Sequence, residues 1–269
     1  MAASIFPSVA NGVTFEDVEA LPRGEPSLIL QYGDDPLQFG ELWLCEPSSA
    51  AKAPLVILIH GGCWLNEFDL THLHPLATAL VESGFAVWSL EYRRVGDDGG
   101  GWPGTYEDVL AGIDFSSTFE HYPVDPDRVV VIGHSAGGHL ASLVAADRDG
   151  WVHGDARIKG SIGLAPIFDI EEYGKGQNDC QAAVSLFITG SPEVRQAQFR
   201  RANPKARDIE PGSLVLIHGA ADDIVPIAQS LNSGQDVRVI DGAAHFDPIH
   251  PGTETWETAM NEIRRFIAV

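Results

Sequence analysis

Cysteine, lysine and long apolar runs are all scarce in this chain, and each shortage excludes something. The three cysteines, Cys45, Cys63 and Cys180, are an odd number set far apart, so no disulfide framework is expected and a reducing compartment is. Only four of the 17 basic residues are lysine, and 38 Asp plus Glu leave a net charge of −21. That excess repels phosphate backbones and anionic lipid, and no basic cluster opposes it locally; nucleic acid is excluded as a partner. The longest apolar run, Leu55 to Ile59, is far short of the roughly 18 residues a membrane helix needs. Met1 to Val18 has neither a basic start nor an apolar block, so it does not read as a signal peptide. A soluble, cytoplasmic protein with no membrane association is expected.

What the chain does have is core-forming material. Of its 269 residues 44% are apolar and six are Trp, enough for one globular α/β unit over residues 1–269. After a polar, Pro- and Gly-rich lead-in, Ser27 to Tyr32 and Glu41 to Cys45 read as a short antiparallel edge. Leu55 to His60 is continuously apolar, the mark of a strand covered on both faces. Strand and helix then alternate. Helices are predicted at Asp69–Ser83, Thr105–His121, Ala136–Ala146, Pro226–Asn232 and Thr253–Ile267. Strands are predicted at Phe85–Tyr92, Arg128–Gly133, Ile158–Leu164, Ser213–His218 and Asp236–Ile240. Thr105 and Asp108 are placed as a capping-box variant. Such repeated units dictate a mostly parallel sheet with helices on both faces. Pro166 to Pro211 is too long for a simple connection; it is expected to form a cap, with Phe168, Tyr173, Phe187 and Phe199 as candidates to line a pocket.

The chemistry centres on Gly133-His134-Ser135-Ala136-Gly137, a G-x-S-x-G between a strand and a helix. A sharp turn there needs small residues on both sides and lifts the Ser135 hydroxyl above the sheet. A serine nucleophile requires a histidine base oriented by a carboxylate. Asp222 follows the strand ending at His218, and His245 follows the last strand, so both sit at carboxyl ends, where α/β sheets gather their sites. Asp223 is the rival carboxylate, placed to cap the next helix, and Asp241 and Asp247 lie too close to His245 in sequence. Among the histidines, His60, His134 and His218 suit structural bonds to loop backbone, and His250 suits a helix cap. His60-Gly61-Gly62-Cys63-Trp64 ends the first parallel strand, and its glycines can free backbone N–H groups for an oxyanion. Gly62, Cys63 and Ala136 are the candidate donors; Trp64, Trp102 and His134 are candidate substrate contacts. His72 and His74, two apart, suit a shared metal poorly, and no metal or cofactor is expected.

The set H-G-G-x-W, G-H-S-A-G-G-H-L-A, H-G-x-x-D-x-x-V-P and a late His resembles the α/β-hydrolase superfamily over about residues 40–269. The similarity is nearest the hormone-sensitive-lipase-like carboxylesterases and the arylformamidases. It implies an α/β-hydrolase fold, a Ser135–His245–Asp222 triad and a small ester as substrate. Cys63 stands where the lipase-like pattern has a third glycine, and Glu91-Tyr92-Arg93-Arg94-Val95 replaces its Y-R-L-A-P-E stretch. The alternatives are an arylformamidase using the same residues and a non-catalytic binding protein on this scaffold. A homodimer, through the last helix or a sheet edge, is compatible with the pattern.

Overall fold

The computed structural model describes residues 5–45, 52–147, 152–153 and 156–268. In chain order the strands are β1 (Leu28–Gln31), β2 (Phe39–Trp43), β3 (Ala53–Ile59), β4 (Ala86–Leu90), β5 (Val124–His134), β6 (Val152–His153), β7 (Ala156–Leu164), β8 (Leu214–Gly219) and β9 (Asp236–Ile240). The main sheet runs β1-β2-β4-β3-β5-β7-β8-β9, with β6 paired antiparallel to β7. Only β1–β2 and β2–β4 are antiparallel along that order; the five pairings from β4 to β9 are parallel. The expected antiparallel edge is present, and β1 alone is its outer strand.

Continuous apolar strands need cover on both faces, and β3 shows how it is divided. Leu55, Ile57 and Ile59 enter one core cluster while Val56 and Leu58 enter the other. Helices α1 (Phe15–Glu19), α2 (His74–Glu82), α3 (Gly104–Phe115) and α4 (Ala136–Ala146) precede the long connection. Val109, Ile113, Leu140 and Val144 of α3 and α4 cover the first face. The second is covered by Leu76 and Leu80 of α2 and by Ile263 and Phe266 of α9 (Glu254–Ile267). Residues 166–211 hold α5 (Ile170–Tyr173), α6 (Asp179–Phe187) and α7 (Gln196–Ala202), and α8 (Ala228–Leu231) follows β8. Gln229 Oε1 accepts from the Phe168 and Asp169 N–H groups, and Asn178 donates to the Ile224 carbonyl, which ties this insertion to the loop after β8.

Two local expectations are corrected. The box at Thr105 and Asp108 does not form: Asp108 is 1% exposed and accepts from the Arg93 guanidinium at 2.6 and 2.8 Å and from Gln38. A buried carboxylate must be paired, and that demand outweighs a cap. The helix predicted from Asp69 begins as a 3-10 turn, Leu70–Leu73, before α2 starts at His74 with Pro75 in its first turn. The polar lead-in holds a short helix, because Thr14 and Asp17 form a reciprocal capping box that starts α1.

His139 on α4 gives the fold a pH dependence. Its Nε2–H donates to the Ala202 carbonyl at 2.6 Å, and its Nδ1 accepts the Trp64 indole N–H at 3.3 Å. Both nitrogens are thereby used by the neutral ring. Burial pushes its pKa down from 6.5 to about 4, against the opposing pull of the Ala202 carbonyl. Because the unfolded ring takes up a proton first on acidification, stability is full above pH 6.5 and falls as the pH drops towards 4. Thermal melts from pH 7.5 to 4.5 are expected to show a falling Tm, with a shallower slope in His139→Gln; parallel slopes would contradict this.

Candidate active site

β5 ends at His134 and α4 starts at Ala136, so one residue makes the entire turn. Ser135 takes φ 56° and ψ −116°, a left-handed conformation that a non-glycine residue holds only under about 1–3 kcal/mol of strain. The glycines explain how the turn closes. A Cβ on Gly133 would fall on the Gly137 carbonyl, and one on Gly137 would fall on the carbonyls of Ile59 and His60. The Ser135 N–H donates to the Leu164 carbonyl at 2.8 Å, anchoring the turn to β7.

Asp222 and His245 come from the loops after β8 and β9, and the structure brings them together. His245 Nδ1 donates to Asp222 Oδ2 at 2.7 Å. The other carboxylate oxygen, Oδ1, accepts from the Ile224 and Val225 N–H groups at 2.9 and 2.8 Å. A second ring also serves this carboxylate: His218 Nε2–H lies 3.1 Å from Asp222 Oδ2 and 2.9 Å from the Val225 carbonyl, with Ser230 Oγ 2.7 Å from Nδ1. Burial alone would raise the Asp222 carboxyl, but the bonds from His218 and His245 hold it well below the usual carboxylate range. Asp223 is exposed. Asp247 accepts backbone N–H groups instead. Thr253, not His250, caps α9.

The loop after β3 is held from behind. His60 is fully buried, with Nδ1 at 2.8 Å from the Gly61 carbonyl and Nε2 at 2.9 Å from Glu91 Oε1. The Tyr92 hydroxyl spends its proton on the His60 carbonyl at 2.7 Å. Glu91 Oε1 accepts from the Tyr92 N–H and faces the Arg94 guanidinium. Both ring nitrogens thus meet acceptors, and the ring stacks 4.2 Å from the Tyr92 ring. Burial would raise Glu91, yet the His60 charge, followed by Arg94 and the Tyr92 N–H, keeps it low. In a trans peptide the C=O and the next N–H point opposite ways, so the bond to the Gly61 carbonyl turns the Gly62 N–H away from His60. Among the described residues, the N–H groups of Gly62, Cys63 and Ala136 donate to no protein acceptor.

Cys63 also corrects an expectation. It forms a disulfide with Cys180 of α6, with Cα atoms 5.0 Å apart. An odd cysteine count and a separation of 117 residues hid the pairing, because the insertion folds back over the loop that carries Cys63.

Ser135, His245, His134, Gly62 and the disulfide line a cavity of about 250 Å³. Its remaining walls are Phe15, Phe68, His72, Ile224 and Phe246, so it is strongly apolar. Burial, with the nearby His60 charge, pushes His72 down to about 3, leaving a neutral ring. His134 reaches the wall and donates from Nε2 to the His245 carbonyl at 2.9 Å. Two expected substrate contacts are elsewhere. Trp64 is fully buried against Phe187 at 4.8 Å. Trp102 lines a separate groove with Tyr106 and Arg207. Phe168, Tyr173, Phe187 and Phe199 are all buried in the core beneath the insertion, which reaches the cavity through Cys180 instead. Phe246 could have been found from its place beside His245; nothing local to Phe15, Phe68 or His72 signals the cavity.

No helix among the described residues is long and apolar enough to cross a membrane. The chain is similar to esterase LipC of Mycobacterium tuberculosis, with 24% identity over 87% of this chain and 64% of that protein. The probable carboxylic ester hydrolase LipM of the same organism is 24% identical over 66% of this chain and 43% of its own length. The chain therefore spans 43–64% of the length of these relatives. Among solved structures, esterase B from Lactobacillus rhamnosis matches with a TM-score of 0.74 at 23% identity, covering 94% of this chain and 90% of that one. A truncated carbohydrate esterase from gut microbiota matches at TM-score 0.72 and 20% identity, covering 91% and 98%. The fold is the α/β-hydrolase fold, and the BD-FAE family model matches residues 43–235, well over half of the sequence. The chain belongs to the BD-FAE family.

Proposed function

We propose that this protein is a serine carboxylesterase acting on small esters through an acyl-enzyme. The observation that carries the reading is the 2.7 Å Asp222–His245 bond beside a cavity that also holds Ser135. Because His245 Nδ1–H is committed to Asp222, Nε2 is the nitrogen left to accept the Ser135 proton as Oγ attacks the acyl carbon. The N–H groups of Gly62, Cys63 and Ala136 take the developing oxyanion. The C–O bond to the alcohol then breaks, and His245 returns the proton to the leaving oxygen. Water repeats the sequence on the acyl-enzyme and releases the acid. None of these steps calls for a cofactor. Residues 166–211 act as the cap, fastened to the oxyanion loop by the disulfide. Structural disulfides persist mainly in oxidising compartments, which weighs against the cytoplasmic placement expected from the sequence.

Initial rates on p-nitrophenyl alkanoates beside N-formylkynurenine test the reading. Faster turnover of the short esters is expected; preference for the formamide would replace it with the arylformamidase alternative, and inertness towards both would leave a binding protein.

A second expectation concerns the buried pair behind the loop. In Glu91→Gln the carboxylate that holds His60 Nε2 and faces Arg94 is lost, the ring is no longer fixed from behind, and the Gly61–Gly62 peptide loses its hold. Removing one oxyanion donor commonly costs about 10²–10³-fold in kcat, so kcat should fall by about 10²-fold with KM nearly unchanged. Steady-state kinetics on p-nitrophenyl butyrate would check it; a rise in KM at constant kcat would show that Glu91 serves ground-state binding instead.

A further inference from the structure

Asp247 is a fully buried carboxylate that the mechanism above leaves unused. Its oxygens accept from Gly12 N–H at 3.0 Å and Val13 N–H at 3.1 Å, and Oδ2 also accepts from Ala244 N–H at 2.9 Å. Ala244 precedes His245, and Val13 lies two residues before Phe15. One carboxylate therefore ties the His245 loop to the N-terminal segment. Val9 N–H to the Gly252 carbonyl at 3.0 Å and Asn11 to the Asp241 carbonyl at 3.0 Å extend the tie. The Thr14 capping box then starts α1 and sets Phe15 on the cavity wall, with ring centroids 5.4 Å from Phe246, 5.9 Å from His72 and 6.3 Å from Phe68.

From this we infer that the N-terminal strap, fastened by Asp247, closes the acyl pocket, and that Phe15 limits the length of acyl chain the enzyme accepts. The inference rests on the esterase reading and adds a substrate class to it: esters of short, uncharged, apolar acids. Three features favour the acyl group as occupant. The cavity starts at Ser135, its walls are mostly apolar, with the neutral rings of His72 and His134 among them, and its volume is about 250 Å³. The acyl group alone stays on Ser135 through both half-reactions, so it is the part of the substrate that gains most from an apolar wall. Expansion is opposed on two sides, by the Cys63–Cys180 disulfide and by the Asp247 hydrogen bonds to the strap. Phe15 is half-buried, so its truncation opens the wall without removing a core residue.

The test compares kcat/KM for p-nitrophenyl acetate, butyrate and octanoate in the wild type, Phe15→Ala and Phe15→Trp, with alkyl acetates of matching lengths as a control series. A methylene that a pocket cannot hold changes kcat/KM by about tenfold or more. The octanoate-to-butyrate ratio should therefore rise about tenfold in Phe15→Ala and fall in Phe15→Trp. The alkyl acetate series should stay unchanged. An unchanged acyl profile in both variants, with wild-type turnover intact, would overturn the role of Phe15 and leave the esterase reading standing. A shift confined to the alkyl acetates would overturn the acyl assignment. A wild type inert on every ester would remove the esterase reading and this inference with it.

Discussion

Ser135→Ala is expected to lower kcat by about a million-fold while leaving the melting temperature unchanged. Loss of the nucleophile in a triad typically costs on that order, because the remaining groups have nothing to deliver. The fold should be indifferent. The φ of 56° at this position strains alanine as it strains serine, and the anchoring bond to Leu164 is made by the backbone N–H, which alanine keeps. Burst kinetics on p-nitrophenyl acetate with matched thermal melts would check both halves. Activity within tenfold of wild type would place the nucleophile elsewhere; a collapsed melt would show Ser135 to be structural.

The next largest effect is expected from Asp222→Asn, about 10⁴-fold in kcat/KM. Asparagine can keep the Ile224 and Val225 N–H bonds through its oxygen, but its NH₂ then faces two imidazole nitrogens that now donate to a carboxylate. His245 must accept at Nδ1, which moves its proton to Nε2 and blocks the base towards Ser135. The acid limb of stability should change as well. The native carboxyl is held below its unfolded value, so its stabilisation is present above about pH 4 and lost as the pH falls through the native value. The variant should melt lower than wild type at pH 7, with the gap closing in strong acid. Equal kcat/KM in the two proteins would rule out this carboxylate as the orienting group.

How far these residues could be read from sequence follows from what each depends on. Ser135, Asp222 and His245 each lie just past an apolar strand, and parallel strands put their carboxyl ends on one edge, so local pattern was enough to nominate them together. The alternation of β3 between two cores was legible for the same reason. The Cys63–Cys180 bond was not, because it depends on where residues 166–211 fold back, and no period encodes that. Trp64 and the aromatics of residues 166–211 stand out in sequence as large rings near a site; burying rings is worth more than displaying them, and these lie in the core. Phe15 was invisible because the strap is placed by Asp247, whose partners are backbone N–H groups that any sequence could supply. His218 offered a structural reading from sequence and has one, bonded to Val225, but it also donates to the Asp222 carboxylate.

Covalent trapping shows whether Ser135 is an activated nucleophile in a preorganised site. Incubation with an alkyl fluorophosphonate followed by peptide mass spectrometry should give one phosphonyl group per chain, on Ser135, and none in Ser135→Ala. A label on another residue, or an unmodified Ser135 in folded protein, would contradict it.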